Sequence, residues 1–182
     1  MADQALRKAP LAGRHGGSAG ARVTPAAPAT RLSLRAGADA IGTLSLAFGL
    51  ELPQRPKTSA SVSGRHALWL GPDEWLLIDE NGADLMGIAS GVSALHSATD
   101  VSHRNTAILV SGPNAAEAIA AACPLDLGNS AFPVGAAART VLGKIEIVLL
   151  RTGEEDFRVE CWRSFSSYAF GMLAEGAEDA GL

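Results

Sequence analysis

The sequence predicts an α+β fold made of two β-α-β-β-α units. Short apolar strands interleave with amphipathic helices, and hairpins lie inside the units, which is the pattern of an α+β protein. Residues 37–52 also resemble residues 112–127 at an offset of 75 without gaps, and both stretches end in leucine-acid-leucine. We expect the two units to share one antiparallel or mixed sheet.

The first unit opens with a strand and a helix. Side chains in residues 31–35 alternate with a period of two, which predicts a strand. In residues 37–48, the apolar side chains of Ile41, Leu44 and Phe48 fall on one helical face. This spacing predicts an amphipathic helix directly after the strand.

A hairpin and a second helix complete the first unit. Residues 66–70 and 75–78 are short apolar strands, and the proline and aspartate in residues 71–74 favour a tight turn between them. Residues 84–95 are predicted to be helical. The polar, proline-containing residues 53–63 are predicted to be a loop.

The second unit repeats this order. Pro113 suits the first turn of a helix, and the apolar side chains near the C-terminus follow helical spacing. The predicted elements are a strand at 107–110, a helix at 112–122, strands at 139–142, 145–151 and 157–161, and a helix at 164–175.

The charge divides the chain into an arm and a body. Residues 1–35 hold six Lys/Arg and one acid, whereas the rest holds nine bases and eighteen acids. Residues 1–28 lack a large apolar cluster, so they are predicted to be a mobile basic arm beside a single domain at 29–176 and a tail at 177–182. The arm either rests on its own acidic body or orders along a partner. Arg22 and Arg31 are candidate interface residues of this region.

Composition excludes several classes of protein. No apolar run approaches the ~20 residues of a membrane span, and no signal-peptide segment is evident. Cys123 and Cys161 are too few for a disulfide framework or a cysteine zinc site. An isoelectric point near 5.5 gives no general attraction to nucleic acid. We expect a cytoplasmic protein with neither nucleic acid nor membrane as partner.

No familiar catalytic motif is present. The sequence contains neither a nucleophile elbow nor a phosphate loop. His96 and His103 flank Asp100, but their spacing does not bring three ligands to one metal, so residues 100–104 are predicted to form a structural hydrogen-bonding segment. Glu146 is a lone acid in an apolar strand, and it faces either solvent or a cleft.

Aromatic and basic residues mark a candidate interface. Trp162 and Arg163 lie where the last strand gives way to the last helix, and both residue types are enriched at interface hot spots. Arg104 is a further candidate. Trp69 and Trp75 flank the predicted hairpin turn, where core or hairpin packing explains them.

The order of several short motifs resembles a known family. The motifs are Leu70-Gly71-Pro72-Asp73-Glu74-Trp75, Asp100-Val101-Ser102-His103-Arg104, Ser111-Gly112-Pro113-Asn114-Ala115, Cys123-Pro124-Leu125-Asp126-Leu127, Arg139-Thr140 and Trp162-Arg163-Ser164-Phe165. Over residues 30–176 the chain resembles the aminomethyltransferase fold of the glycine-cleavage T-protein. Within that superfamily it is most similar to the gamma-subunit family of heterotetrameric sarcosine oxidases.

This resemblance implies a non-catalytic subunit of a larger oxidase. The family's complexes contain alpha, beta, gamma and delta subunits and oxidise sarcosine to glycine, with the methyl group passed to tetrahydrofolate. FAD, FMN, NAD and tetrahydrofolate are then expected on partner subunits, zinc on delta, and no cofactor on this chain.

The same resemblance leaves one alternative open. Folate-using relatives carry an acidic residue on the strand that residues 145–151 match, and Glu146 stands at about that position in place of their aspartate. Glu146 is therefore a weak candidate for a folate site. The alternative function is a free-standing folate-binding or aminomethyl-transfer protein of the same fold.

Overall fold

The strands pair into two separate antiparallel sheets, not into the single shared sheet that the sequence suggested. The computed structural model describes residues 9–181. The strands in this range are β1 (Gly16–Gly17), β2 (Arg22–Pro25), β3 (Thr30–Ala36), β4 (Ser59–Val62), β5 (Arg65–Gly71), β6 (Glu74–Asp79), β7 (His96–Asp100), β8 (Asn105–Ser111), β9 (Ala137–Leu142), β10 (Ile145–Arg151) and β11 (Asp156–Trp162). The helices are α1 (Ile41–Phe48), α2 (Leu85–Ser90), α3 (Ala115–Ala120) and α4 (Ser166–Asp179), the last preceded by a 3-10 turn at Arg163–Phe165.

The predicted repeat is confirmed by the topology of the two sheets. Their orders are β4-β5-β6-β3-β7 and β9-β10-β11-β8-β2-β1, so each unit places its first strand beside the third of the three strands that follow its first helix. Strands β3 and β8 keep the offset of 75 residues seen in the sequence. Between its two helices the first unit has one more strand than predicted, β4, whereas the second unit has the three strands that were predicted.

The two sheets stack face to face, and the helices cover the outer faces. One core lies between the first sheet and helices α1 and α2, and another lies between the second sheet and helices α3 and α4. A third apolar cluster joins the sheets to each other, with Leu76 and Ile78 of β6 against Val148 and Leu150 of β10. The molecule therefore has four layers, and both faces of each sheet are buried over much of their area.

Residues 9–28 differ from the expected mobile arm. Strand β2 pairs with β8 in register Val23↔Val110, and the side chains of Ala21 and Val23 are fully buried. A short strand with a buried valine at a sheet edge gains both backbone hydrogen bonds and apolar burial, which offsets its ordering entropy. The first eight residues of the expected arm lie outside the described range.

Several element bounds also differ from the sequence expectation. Strand β4 occupies part of the predicted loop at 53–63, and α4 extends through Asp179 into the predicted tail, with Ala177 fully buried. Helix α3 begins at Ala115 because the preceding residues are engaged elsewhere: the Gly112 amide donates to the Glu155 carbonyl. No helix among residues 9–181 is long and apolar enough to cross a membrane.

Candidate functional site

A small cleft opens at one end of the junction between the two sheets. Its floor is formed by apolar side chains from both sheets, and its rim carries charged and aromatic ones. Its volume is about 100 Å³. The lining residues that matter below are Leu70, Leu76, Val101, Arg104, Asn105, Arg139, Glu146, Val148, Cys161 and Trp162.

A cation and two aromatic rings are stacked at this rim. The Arg104 guanidinium carbon lies 4.3 Å from the centre of the Trp162 ring. The Trp162 and Phe165 rings are stacked at 5.8 Å with an interplanar angle of 17°. Trp162 and Phe165 are each 40% exposed, so this stack presents a large apolar surface to solvent. We refer to Arg104, Trp162 and Phe165 as the stacked patch.

Two chain segments that are distant in sequence hold the stacked patch together. Strand β11 ends at Trp162, and the Arg163 amide donates a 2.7 Å hydrogen bond to the Arg104 carbonyl. Arg104 lies in the turn between β7 and β8. The Arg104 amide donates a 3.1 Å hydrogen bond to the Val101 carbonyl. The predicted interface candidates Arg104, Trp162 and Arg163 are therefore brought together by the fold.

The segment from Asp100 to Arg104 has the structural role predicted for it. Asp100 Oδ1 accepts a hydrogen bond from the Ser102 amide at 2.8 Å, and Ser102 Oγ accepts one from the Arg31 amide at 2.8 Å. The hydroxyl and the amide of Ser102 lower the pKa of the Asp100 carboxyl below its usual range. These bonds fix the turn that carries Arg104.

Glu146 lies on the rim and is not enclosed. Its side chain is 56% exposed, and Oε1 is 4.0 Å from Arg139 Nε. Arg139 also pairs with Glu74, which in turn accepts a hydrogen bond from Arg35 at 3.0 Å. The rim beside Glu146 is thus a surface ion-pair network.

The volume of the cleft bears on the folate candidate. Pockets for drug-sized ligands enclose about 300–1,000 Å³, whereas this cleft encloses about 100 Å³. The carboxylate that was the folate candidate, Glu146, already faces Arg139. Glu146 therefore lies beside a cleft smaller than the usual ligand pocket, and its role as a folate candidate stays a prediction.

Cys161 and the remaining polar groups offer no reactive pair. Burial raises the pKa of the Cys161 thiol to about 12, so the thiol remains protonated at neutral pH. Among residues 9–181 no group of three His, Cys, Asp or Glu side chains is arranged to hold a metal ion.

Arg31 is not at the surface, which corrects the sequence expectation. It is 2% exposed and donates two hydrogen bonds to the Glu160 carboxylate, at 2.6 and 3.1 Å. Glu160 also accepts from Arg158 Nε at 2.8 Å, and Arg158 reaches Glu80 at 2.5 Å. Because Arg31 lies in β3 and Glu80 directly follows β6, whereas Arg158 and Glu160 lie in β11 of the other sheet, this largely buried network links the sheets.

Arg22 is exposed but lies far from the stacked patch. It pairs in register with Ser111, at the opposite end of β8 from Asn105. Six residues of strand separate the two ends, which is ~20 Å. Of the five interface candidates, the structure groups three, buries Arg31 and places Arg22 elsewhere. Phe165, whose ring completes the stack, was not identified as an interface residue from the sequence. The signal that could have identified it is its position three residues after Trp162.

Comparison with known proteins gives one consistent family. The model of the sarcosine oxidase, gamma subunit family matches residues 35–179. A sarcosine oxidase subunit gamma from Corynebacterium sp. (strain P-1) is 35% identical over 158 residues, covering 83% of this chain and 77% of that protein. One from an Arthrobacter species is 35% identical over 136 residues, covering 72% and 67%.

Solved structures agree with this result. A chain of the heterotetrameric sarcosine oxidase from Corynebacterium sp. U-96, in complex with pyrrole 2-carboxylate, matches with a TM-score of 0.83 and 32% identity, covering 89% of this chain and 86% of that one. The glycine cleavage system aminomethyltransferase T from Bartonella henselae matches with a TM-score of 0.60 and 12% identity, covering 85% and 45%. The second likeness concerns the fold alone, and it confirms the predicted relation to the aminomethyltransferase fold.

Proposed function

Because the chain belongs to the sarcosine oxidase gamma-subunit family, we propose that it acts as a structural subunit of a heterotetrameric sarcosine oxidase. In this role the chain contributes contact surface, and the oxidation of sarcosine takes place on partner subunits. The likeness to a chain of a heterotetrameric enzyme supports this role.

The stacked patch is the observation that carries the proposal. A tryptophan and a phenylalanine, each 40% exposed and stacked on each other, are costly to leave in water and are typical of protein interfaces. Arg104 completes the combination of residue types that is enriched at binding hot spots. A contact surface of this kind is what a structural subunit requires.

The cleft beside the patch supports a non-catalytic role. Its one thiol is held in the protonated form, and its exposed carboxylate, Glu146, faces Arg139. A general base or nucleophile needs the opposite situation, with a pKa near the working pH and a free path to substrate. The described residues of the cleft do not provide such a group.

In the proposed complex the partners are the alpha, beta and delta subunits. FAD, FMN, NAD and tetrahydrofolate belong to those partners, and this chain holds none of them. The complex is proposed to be cytoplasmic. These finer assignments rest on the family resemblance, and the following experiment tests them together.

Tagged purification of the chain from its native host is the direct test. We expect a yellow complex that contains larger flavin-bearing subunits and consumes oxygen when sarcosine is added. The chain purified alone is expected to be colourless and to show no sarcosine-dependent oxygen uptake. Oxidase activity of the lone chain, or purification from the host as a single 18.6 kDa species, would contradict the proposal.

The folate-binding alternative has its own test. Titration of the isolated chain with tetrahydrofolate is expected to show no micromolar binding, because the cleft of about 100 Å³ is too small. Micromolar binding that disappears in Glu146→Ala would instead favour a folate-binding protein. Arg22→Ala is the matched control for an exposed charge far from the cleft.

A further inference from the structure

We propose that the cleft beside the stacked patch receives an acidic segment of a partner subunit, with a carboxylate on Arg104 and a neighbouring aliphatic side chain in the cleft. This inference rests on the proposed function and specifies the chemistry of the partner. It follows from the state of the Arg104 guanidinium, the shape of the cleft and the charge around both.

The Arg104 guanidinium is held in place while its hydrogen-bond donors remain unused. Its carbon lies 4.3 Å from the centre of the Trp162 ring, and the Trp162 ring is itself stacked with that of Phe165. Within residues 9–181 the Arg104 side chain donates no hydrogen bond and forms no ion pair. A planar guanidinium offers five donors in a fork that matches a carboxylate. Stacking thus prepares Arg104 to bind a carboxylate with little further loss of entropy.

The floor of the cleft fits one aliphatic side chain. Leu70, Leu76, Val101 and Val148 supply apolar surface from both sheets. An engineered cavity of about 150 Å³ in another protein holds a benzene ring. A cleft of about 100 Å³ therefore suits a side chain the size of valine or leucine, which would act as an anchor beside the carboxylate.

The charge of the molecule directs an acidic segment to this place. Residues 36–182 carry eighteen acids against nine bases, so most of the body repels carboxylates. The cleft itself is lined by two arginines and three glutamates. Glu74 and Glu146 face Arg139, and Glu160 faces Arg31 and Arg158, so Arg104 is the lining arginine that faces no carboxylate among the described residues. A local cationic surface on an acidic body selects its partner by electrostatic complementarity.

Binding of the purified full-length chain to an oxidase complex expressed without it tests the inference. We expect Arg104→Glu to weaken binding by about 30-fold or more, since it removes a desolvated charge pair and adds repulsion. Arg104→Lys should give an intermediate loss, because an ammonium keeps the charge but not the fork. Arg22→Glu makes the same charge change on an exposed residue outside the cleft, and it should bind like the unmodified chain.

A cross-linking experiment identifies the occupant itself. A photoreactive amino acid at position 104 of the full-length chain should label a partner peptide in which an Asp or Glu adjoins Val, Leu or Ile. Leu70→Phe, which fills the cleft, should weaken binding while the melting temperature is retained.

The outcomes separate the two levels of the proposal. If the unmodified chain binds and Arg104→Glu binds equally well, or if the labelled peptide has no acid, this inference is overturned and the structural-subunit role stands. If the unmodified chain does not bind the complex at all, the proposed function fails, and this inference fails with it.

Discussion

Arg31 and Arg104 carry the same guanidinium group in opposite environments. Arg31 is 2% exposed and bonded to a carboxylate from the other sheet, whereas Arg104 is exposed and stacked on an indole ring. The energetic consequence differs accordingly. Removing the partner of a buried charge lowers the free energy of unfolding strongly, whereas replacing an exposed cation changes it little.

Replacing Arg31 should therefore destabilise the chain strongly. We expect Arg31→Met to lower the free energy of unfolding by about 3 kcal/mol, because Glu160 loses one of its two buried cationic partners. Arg35→Met is the matched control on the same strand, where the side chain is 57% exposed, and it should cost under ~1 kcal/mol. Urea denaturation at pH 7 measures both. Equal losses would contradict a structural role specific to Arg31.

Asp79 should give the chain part of its dependence on pH. Its side chain is 2% exposed, and it accepts hydrogen bonds from Arg65 at 2.7 Å and from the Asn81 and Ala83 amides at 2.9 and 3.0 Å. Burial alone would raise the pKa of this carboxyl, but the hydrogen bonds and the cation hold it below its ordinary value of 3.8. The folded state thus favours the ionised form, so this contribution is present at neutral pH and is lost as the pH falls below about 4.

The corresponding experiment compares Asp79→Asn with the unmodified chain from pH 7 to pH 3. At pH 7 the variant should be less stable by about 1–3 kcal/mol. The gap should narrow as the pH falls, since the unmodified Asp79 then becomes protonated. A gap that stays constant down to pH 3 would show that the ionised form is not the favoured one.

Among the elements, strand β2 could not be predicted from its own sequence. Arg22-Val23-Thr24-Pro25 holds one large apolar residue and a proline, so nothing local indicates a strand. It forms because β8 offers an open edge, and Val110, the register partner of Val23, lies 87 residues later in the chain. By contrast, the repeat shows as a periodic pattern with an offset of 75 residues, and the hairpin of β5 and β6 is formed by neighbouring residues. Both features can therefore be predicted from the sequence, and both predictions are confirmed.

In the candidate site, too, some features could be predicted from the sequence and others could not. Trp162 and Arg163 were identifiable because a strand meets a helix there. The burial of Arg31 was not identifiable, because its partner Glu160 is 129 residues away in the chain. The stacking of Arg104 depends on a turn fixed by Asp100 and Ser102, and on a contact between distant segments, which spacing alone does not give.

The structural role of β2 predicts a sharp contrast between neighbouring substitutions. Val23→Asp places a carboxylate in the core and should unfold the chain or lower its melting temperature strongly. Arg22→Asp, one residue earlier on the opposite face, should melt close to the unmodified chain. Circular dichroism melts check both variants. A tolerated Val23→Asp would mean that β2 is dispensable to the fold.

At the scale of the whole molecule, the two sheets are joined by an apolar cluster and by the ion network of Arg31, Glu160, Arg158 and Glu80. Each sheet also has its own core with its helices. Cooperativity between the two units thus depends on the surface between the sheets. Disruption of that surface should uncouple the units before it unfolds either one.

Two probes report on the units separately. Trp75 is buried in one core, and Cys123 is buried in the other. In a Trp69→Phe/Trp162→Phe background, Trp75 fluorescence and Cys123 thiol labelling should give the same urea midpoint, as a single cooperative unit requires. Adding Glu160→Gln should separate the midpoints. Separate midpoints without that substitution would show that the units already fold independently.

The position of β2 bears on how the gene could be rearranged. In its sheet β2 lies beside β8, as β7 lies beside β3, yet β7 follows the helices of its unit, whereas β2 precedes the helices of its own. Gly181, just after α4, also lies close to the turn between β1 and β2: a Cβ built on Gly181 would lie 3.0 Å from Ser18 Oγ. A circular permutant that links residue 181 to residue 16 and opens within residues 53–57 would therefore place β1 and then β2 after α4. Such a protein should retain the native circular dichroism spectrum, with its strands reordered along the chain but not in space.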